Sequence, residues 1–259
     1  MEREIAVEGG FNLRDLGGYE TVHGDRVRWR RVLRSGHFNE LSEAGRREVA
    51  DLGIRTVVDL REQWEMEAMP SEWCRGRDVE IVNAPRSLHE AFDNRKLLKW
   101  DEEQSLEDAR KQRIDTYSRK PRQFAPAVQR LFEVLARDES YPVVFHCMTG
   151  KDRTGFIAAV LLEWLGVDRE TAIEDYLFTT QVFERMPVER MQSILAHYGL
   201  KPGREQALQV LAEVRSEYLE ASLDVIDREL GGLERYVSEV AGVPDEQRKA
   251  VRERLLETA

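Results

Sequence analysis

Apolar positions along the chain fall into two kinds of run. Val143-Val144-Phe145 is short, β-branched and aromatic, which is the pattern of a strand buried on both faces. Farther on, Phe156 to Leu165 is apolar almost all round and predicts a helix in the middle of the fold, ended by Gly166. Ile54 to Leu60 and Val79 to Val82 predict further strands. Tyr19 to Val22 and Val27 to Leu33 flank His23-Gly24-Asp25 and predict a hairpin leading into the first sheet strand. Residues 9–19, with Gly9-Gly10 and Gly17-Gly18 around Arg14-Asp15, predict a loop. Helices are predicted from Ser42 as N-cap to Leu52 with Gly53 after it, and from Arg61 to Met69 before Pro70. Ile114 to Tyr117 and Phe124 to Leu135 follow, the latter striped by Phe124, Val128, Leu131, Phe132 and Leu135. Asp168 caps a helix through Leu177, and residues 183–197, 204–219, 220–230, 232–241 and 245–258 complete a helical C-terminal part.

Strands alternating with helices predict an α/β fold: a small, mainly parallel central sheet flanked by helices, with a helical cap. A single domain over 1–259 is expected. The polar, charged stretch 87–113 is expected as a flap, and 183–259 as a helical lid and C-terminal region.

Charge narrows the functions. The 259 residues have a net charge of −10, which argues against general nucleic-acid binding and against electrostatic attachment to acidic membranes. Membrane contact is expected only through a lipid substrate. Cys74 and Cys147 do not make a disulfide framework. The five histidines are scattered without ligand spacing, so neither a metal nor a cofactor is expected. Met1 to Ile5 has no apolar signal core, and no segment is long and apolar enough to span a bilayer. A cytoplasmic setting is expected, with export lacking a cleaved signal left open.

Chemistry concentrates in His146-Cys147-Met148-Thr149-Gly150-Lys151-Asp152-Arg153-Thr154-Gly155, between the strand and the apolar helix. Free N–H groups at a helix start, with the helix dipole, make an anion site. A phosphate there is held by the amides of Met148, Thr149, Gly150 and Lys151 and by a charged fork from Arg153. The same field stabilises a Cys147 thiolate for in-line attack at phosphorus, giving a phosphocysteine that water then hydrolyses. Arg153 stabilises the transferring oxygens, Thr154 donates to the sulfur, and His146 orders the loop. A nucleotide-binding loop is excluded, because Lys151 is followed by Asp152 and not by Ser or Thr.

His-Cys-x5-Arg-Thr-Gly resembles the signature of cysteine-dependent protein tyrosine phosphatases. The fuller His-Cys-x-x-Gly-Lys-Asp-Arg-Thr-Gly is similar to a bacterial branch typified by a secreted mycobacterial phosphatase. Phe11 to Tyr19, Leu33-Arg34-Ser35-Gly36 and Val57 to Arg61 are similar to other landmarks of that branch, in the same order. So are Arg215, Tyr218-Leu219, Ile226 and Gly231-Gly232 near the C-terminus. The resemblance implies a phosphatase acting on phosphotyrosine, with phosphoserine, phosphothreonine and phosphoinositides as extensions, the last through Lys151. It makes Asp15 a supporting residue beside the loop. Asp59, at a strand's C-terminal end, is a supporting or catalytic candidate. The branch has an acidic residue where this chain has Arg86, and arginine is no acid near neutral pH. Asp152 is the first choice of proton donor, since a carboxyl beside a phosphate dianion has a raised pKa, or else it braces the loop. His89, Asp93 and Asp59 are the other choices. The competing class is a catalytically weak module that recognises phosphate without turning it over.

Overall fold

In the computed structural model, which describes residues 2–84, 86, 105–186, 210 and 212–258, strands and helices alternate along most of the chain. The order is β1 (Arg14–Asp15), β2 (Asp25–Val27), β3 (Val32–Ser35), α1 (Glu43–Asp51), β4 (Thr56–Asp59), α2 (Gln63–Ala68) and β5 (Glu80–Asn83). Then come α3 (Leu106–Ser118), α4 (Lys120–Leu135), β6 (Val143–His146), α5 (Asp152–Leu165), α6 (Arg169–Leu177) and α7 (Thr179–Glu184). Last are α8 (Ser216–Glu229), α9 (Asp245–Leu255) and β7 (Leu256–Thr258).

The central sheet has the order β1-β3-β6-β4-β5. β3, β6, β4 and β5 are parallel, and β1 adds antiparallel to β3. The expected small, mainly parallel sheet between helices is therefore present. β6 lies in its middle because Val143, Val144 and Phe145 can be buried on both faces, each being 0% exposed. Side chains alternate along a strand. Val143 and Phe145 join the core beneath α4 and α5, with Phe132, Leu135 and Phe156. Val144 joins Leu33, Val57, Phe38 and Trp73 on the other face. The register sets Ser35 and Asp59 on either side of His146, so three strands end together. Ligands gather at this edge in open α/β sheets.

Several predicted elements hold. Ser42 accepts from Gly45 N at 3.1 Å, Gly53 lies beyond α1 at φ +65, and Asp168 accepts from Thr171 N at 2.9 Å. Others are corrected. Arg14–Asp15 is a strand and not loop. The turn at His23-Gly24 is present, with Thr21 N bonded to Asp25 O at 2.8 Å, but β2 takes its main partner from the far end of the chain. There Val27 pairs with Leu256, so the last residues form a strand and not the end of a helix. Residues 232–241 hold one helical turn, Leu233–Arg235, running into a π-turn, Tyr236–Val240.

Residues 87–104 of the expected flap, with His89 and Asp93, lie outside the described residues. The rest of that stretch opens α3, which packs on α8. Residues 187–209 of the expected lid also lie outside the described residues. Among the described residues no helix is long and apolar enough to cross a membrane.

Candidate active site

β6 ends at His146, and five residues turn the chain before α5 begins at Asp152. The turn is held from outside by its carbonyls. His146 Nδ1 lies 2.9 Å from Cys147 O. His37 N donates to Met148 O at 3.0 Å. Asn12 Nδ2 donates to Thr149 O at 3.2 Å and to Gly150 O at 2.9 Å. Arg34 Nη2 donates to Gly150 O at 2.8 Å, and Gly155 N to Lys151 O at 2.7 Å. In a trans peptide the N–H points opposite to the C=O. With the carbonyls drawn outward, the amides of the same peptides face into the turn. Among the described residues, the N–H groups of Met148, Thr149, Gly150 and Asp152 make no hydrogen bond. Inward amides at a helix start form an anion cup. Cys147, 2% exposed and unpaired in any disulfide, is the first residue of that turn.

Gly150 has φ +67, and a Cβ there would lie 2.5 Å from the Ser35 carbonyl, so only glycine fits this bend. Behind it sits a buried cluster. Asp175 accepts from Arg14 Nε at 2.9 Å and pairs with Arg34, every side chain being at most 1% exposed. Burial pushes the Asp175 pKa up, but the two guanidiniums outweigh it and hold the carboxyl well below the usual range.

Arg153 lies in the first turn of α5. Its Nη1 and Nη2 reach the two oxygens of Glu65 on α2 at 2.5 and 2.7 Å, and Nη1 lies 3.3 Å from Leu60 O. The guanidinium is thus clamped by an ion pair, with its side chain 13% exposed. Glu65 also accepts from Glu62 N at 2.7 Å, completing the capping box of α2. Burial acts to raise the Glu65 pKa, yet Arg153 and these bonds hold it below the ordinary value.

Asp152, expected as proton donor or brace, is held by charged partners. It pairs with Arg113 Nη2 at 2.5 Å and accepts the Tyr117 hydroxyl. Burial raises its pKa, but Arg113, Lys151, Lys120 and that hydroxyl win, and the carboxyl lies well below the usual carboxylate range. The rise expected beside a bound phosphate has to work against these surrounding cations. Lys151 is 2% exposed, with Nζ 3.3 Å from Glu213 O and 3.9 Å from Asp152 Oδ2. Burial first, then Arg113, pushes its ammonium down to about 8 against the pull of Asp152.

The supporting residues divide. Asp59 accepts from Arg61 N, Nε and Nη2 at 3.0, 3.0 and 2.7 Å. Its Oδ2 lies 3.8 Å from His146 Nε2. Burial outweighs Asp59 and lowers the His146 pKa, which favours a neutral ring that orders the loop. Thr154 Oγ1 is buried without a hydrogen-bond partner, so the expected bond to sulfur is not formed in this structure. Among the described residues Asp15 makes no hydrogen bond to the loop. It accepts from Gly17 N and Arg30 N, both at 2.7 Å, and fixes the turn beside β1, while its neighbours Asn12 and Arg14 serve the loop. Arg86 is paired with Glu62 at 2.9 Å.

A model of the tyrosine phosphatase family matches residues 5–257. The chain belongs to that family. The phosphatase is 29% identical over 262 residues to the triple specificity protein phosphatase PtpB of Mycobacterium tuberculosis, covering 91% of this chain and 92% of the relative. It is 30% identical over 243 residues to a putative tyrosine-protein phosphatase of Cupriavidus necator, covering 93% and 85%. Among solved structures, the core catalytic domain of the PP-IP phosphatase SIW14 from S. cerevisiae matches with a TM-score of 0.42 and 12% identity, over 76% of this chain and 98% of that one. The expected membership of a bacterial protein tyrosine phosphatase branch holds, and the phosphatase is a phosphoric monoester hydrolase of the protein-tyrosine-phosphatase type.

Four residues around the loop escape sequence reasoning: Glu65, Arg113, Asp175 and Lys120. Only Glu65 has a local signal, the capping-box spacing Glu62-x-x-Glu65. Arg113, Asp175 and Lys120 lie on helices where charged residues ordinarily face water.

Proposed function

We propose that the phosphatase hydrolyses phosphate monoesters through a phosphocysteine on Cys147. The outward bonding of every carbonyl from Cys147 to Lys151 carries this reading, because it turns a ring of amides toward the side chain that starts the loop. A bound phosphate accepts from those amides and from Arg153, held in place by Glu65. The thiolate attacks phosphorus as the ester oxygen departs, and water then attacks the phosphocysteine and frees Cys147. As charge spreads over the transferring oxygens, the preorganised amides and guanidinium stabilise it without reorganising. Asp152 braces the loop in this scheme, since it is held ionised between Arg113 and Tyr117.

Phosphotyrosine peptides are the primary substrate. Phosphoserine, phosphothreonine and phosphoinositides are extensions, supported by the triple specificity in the name of the mycobacterial relative and by the cation of Lys151 in the loop. With a net charge of −10, the chain is proposed to meet lipid only as substrate.

Turnover of an aryl phosphate, with and without orthovanadate, tests the scheme. Cys147→Ser is expected to abolish turnover while phosphate binding and folding persist. Full activity in that variant overturns the phosphocysteine.

A further inference from the structure

The proposed phosphoryl transfer needs a proton for the departing oxygen, and the described acids do not supply one. Arg86 stands where the resemblance puts an acidic residue, and it is paired with Glu62. Asp152 is held as a carboxylate by Arg113 and Tyr117. Asp59 and Glu65 are each consumed by a guanidinium.

One buried cation beside the loop is not consumed. Lys120, the first residue of α4, is 5% exposed. Its ammonium has neither an ion pair nor a hydrogen bond among the described residues. Nζ sits 4.3 Å above the Tyr117 ring centroid and 5.6 Å from that of Phe124. That same Tyr117 ends on Asp152 through its hydroxyl, so one ring links Lys120 to the cluster at the start of α5. The short α3–α4 junction fixes its backbone, because Pro121 follows and its carbonyl accepts the Tyr236 hydroxyl at 2.8 Å.

We propose that Lys120 is the catalytic acid that protonates the leaving oxygen. As the Cys147 sulfur bonds to phosphorus and the P–O ester bond breaks, the Lys120 ammonium gives its proton to the departing oxygen. In the second step the neutral amine takes a proton from the water that attacks the phosphocysteine. The ammonium is restored, and phosphate leaves with the remaining proton of that water balanced on its oxygens. This rests on the phosphocysteine reading above.

The proton affinity of Lys120 suits the task. Burial pushes the ammonium down to about 7; Asp152 and Cys147 pull it up, while Arg113 and Arg153 push it down. The other titratable groups facing this cluster are Lys151, Tyr117 and Tyr176. Both tyrosines are raised by burial and stay protonated at neutral pH. An acid with its pKa near the working pH donates most effectively.

The test compares Lys120→Met and Lys120→Arg with the wild-type chain, reading kcat/KM on activated and unactivated phosphate monoesters across pH. Arginine keeps the charge but gives up no proton near neutrality. Both variants are expected to lose on the order of 10²–10³-fold on phenyl or alkyl phosphate and under about tenfold on dinitrophenyl phosphate, within the usual range of acid catalysis. The fall of kcat/KM above pH about 7 is expected to vanish in both. Orthovanadate binding reports whether each variant keeps the loop, and Lys120→Arg stands in if the methionine variant does not fold. Full rescue by arginine assigns Lys120 a charge and not a proton, and overturns the proposal. Equal loss on all leaving groups, or an unchanged basic limb, overturns it as well and moves the acid elsewhere, with Asp152→Asn as the comparison. Those results leave the Cys147 scheme standing; an active Cys147→Ser sinks the scheme itself.

Discussion

Two carboxylates adjoin the Cys147 loop, Asp175 through Arg34 and Asp152 at the start of α5, and they sit in different surroundings. Asp175 is 1% exposed in its side chain and faces two guanidiniums, Arg14 and Arg34, that are themselves fully buried. Asp152 keeps 27% of its side chain exposed and faces Arg113, with the Lys151 ammonium and Tyr117 hydroxyl beside it. Among the described residues, the rear cluster reaches the loop at main-chain carbonyls, Arg34 at Gly150 O, and Arg14 by way of Asn12 at Thr149 O and Gly150 O. The front cluster adjoins the side chains proposed to meet substrate. In the proposed scheme the rear sets shape, and the front sets charge and proton traffic.

Removing Asp175 is the strongest way to break that division. Asp175→Ala leaves two buried cations unpaired, and such losses cost about 3–5 kcal/mol. Urea midpoints are expected to fall accordingly. The corresponding Asp152→Asn keeps a hydrogen-bond acceptor and solvent access, so a smaller loss of about 1–3 kcal/mol is expected. The pH dependence follows from the depressed pKa of Asp175. Below the ordinary value of 3.8 the unfolded chain binds the proton first. The contribution of Asp175 is thus present above that pH and lost as pH falls through the folded value. The stability gap between wild type and Asp175→Asn should narrow under acid; a constant gap refutes the ionic account.

Glu65 sharpens the comparison from the other direction, since its main effect should be on rate. Glu65→Gln keeps the size but weakens the fork on Arg153 and the bond to Glu62 N. Misplacing one transition-state contact costs on the order of 10²-fold in kcat. The expected signature is a fall in kcat with little change in urea midpoint. Unchanged kcat means Arg153 finds its geometry without the clamp.

How much of this was legible in the sequence depends on whether a residue's role is local. Cys147, Arg153 and the strand–loop–helix around them are contiguous, so Val143 to Leu165 disclosed both the element order and the chemistry. The parallel strands β4 and β6 followed from β-branched runs. β1 did not, because two charged residues, Arg14 and Asp15, carry no strand pattern; Arg14 is buried against Asp175, far off in the chain, and Asp15 against the amides of Gly17 and Arg30. α3 was foreseen only over its last turns. Its buried face contains Arg113 and Thr116 where a core-facing helix would show apolar residues. The low pKa of Asp152 was illegible for the same reason, as Arg113 and Lys120 are remote from it in sequence. β7 was missed because Leu256–Thr258 continues a helical pattern and becomes a strand only by meeting β2.

The smallest effect expected is at a site away from both clusters, and it calibrates the others. Ser42 caps α1 by accepting from Gly45 N at 3.1 Å, while the glycine that follows α1, Gly53, takes φ +65. Ser42→Ala removes one cap and should cost about 1 kcal/mol. α1 packs through Val49 on the face of the sheet that also holds Val144, but Ser42 bonds no residue of the Cys147 loop. If the loop is held by the bonds described above and not by the general stability of the domain, kcat and its pH profile should be unchanged in this variant while the urea midpoint drops. A loss of kcat in step with the loss of stability would mean that any weakening of the fold loosens the loop. The rate effects expected at Glu65 could then no longer be assigned to the clamp on Arg153.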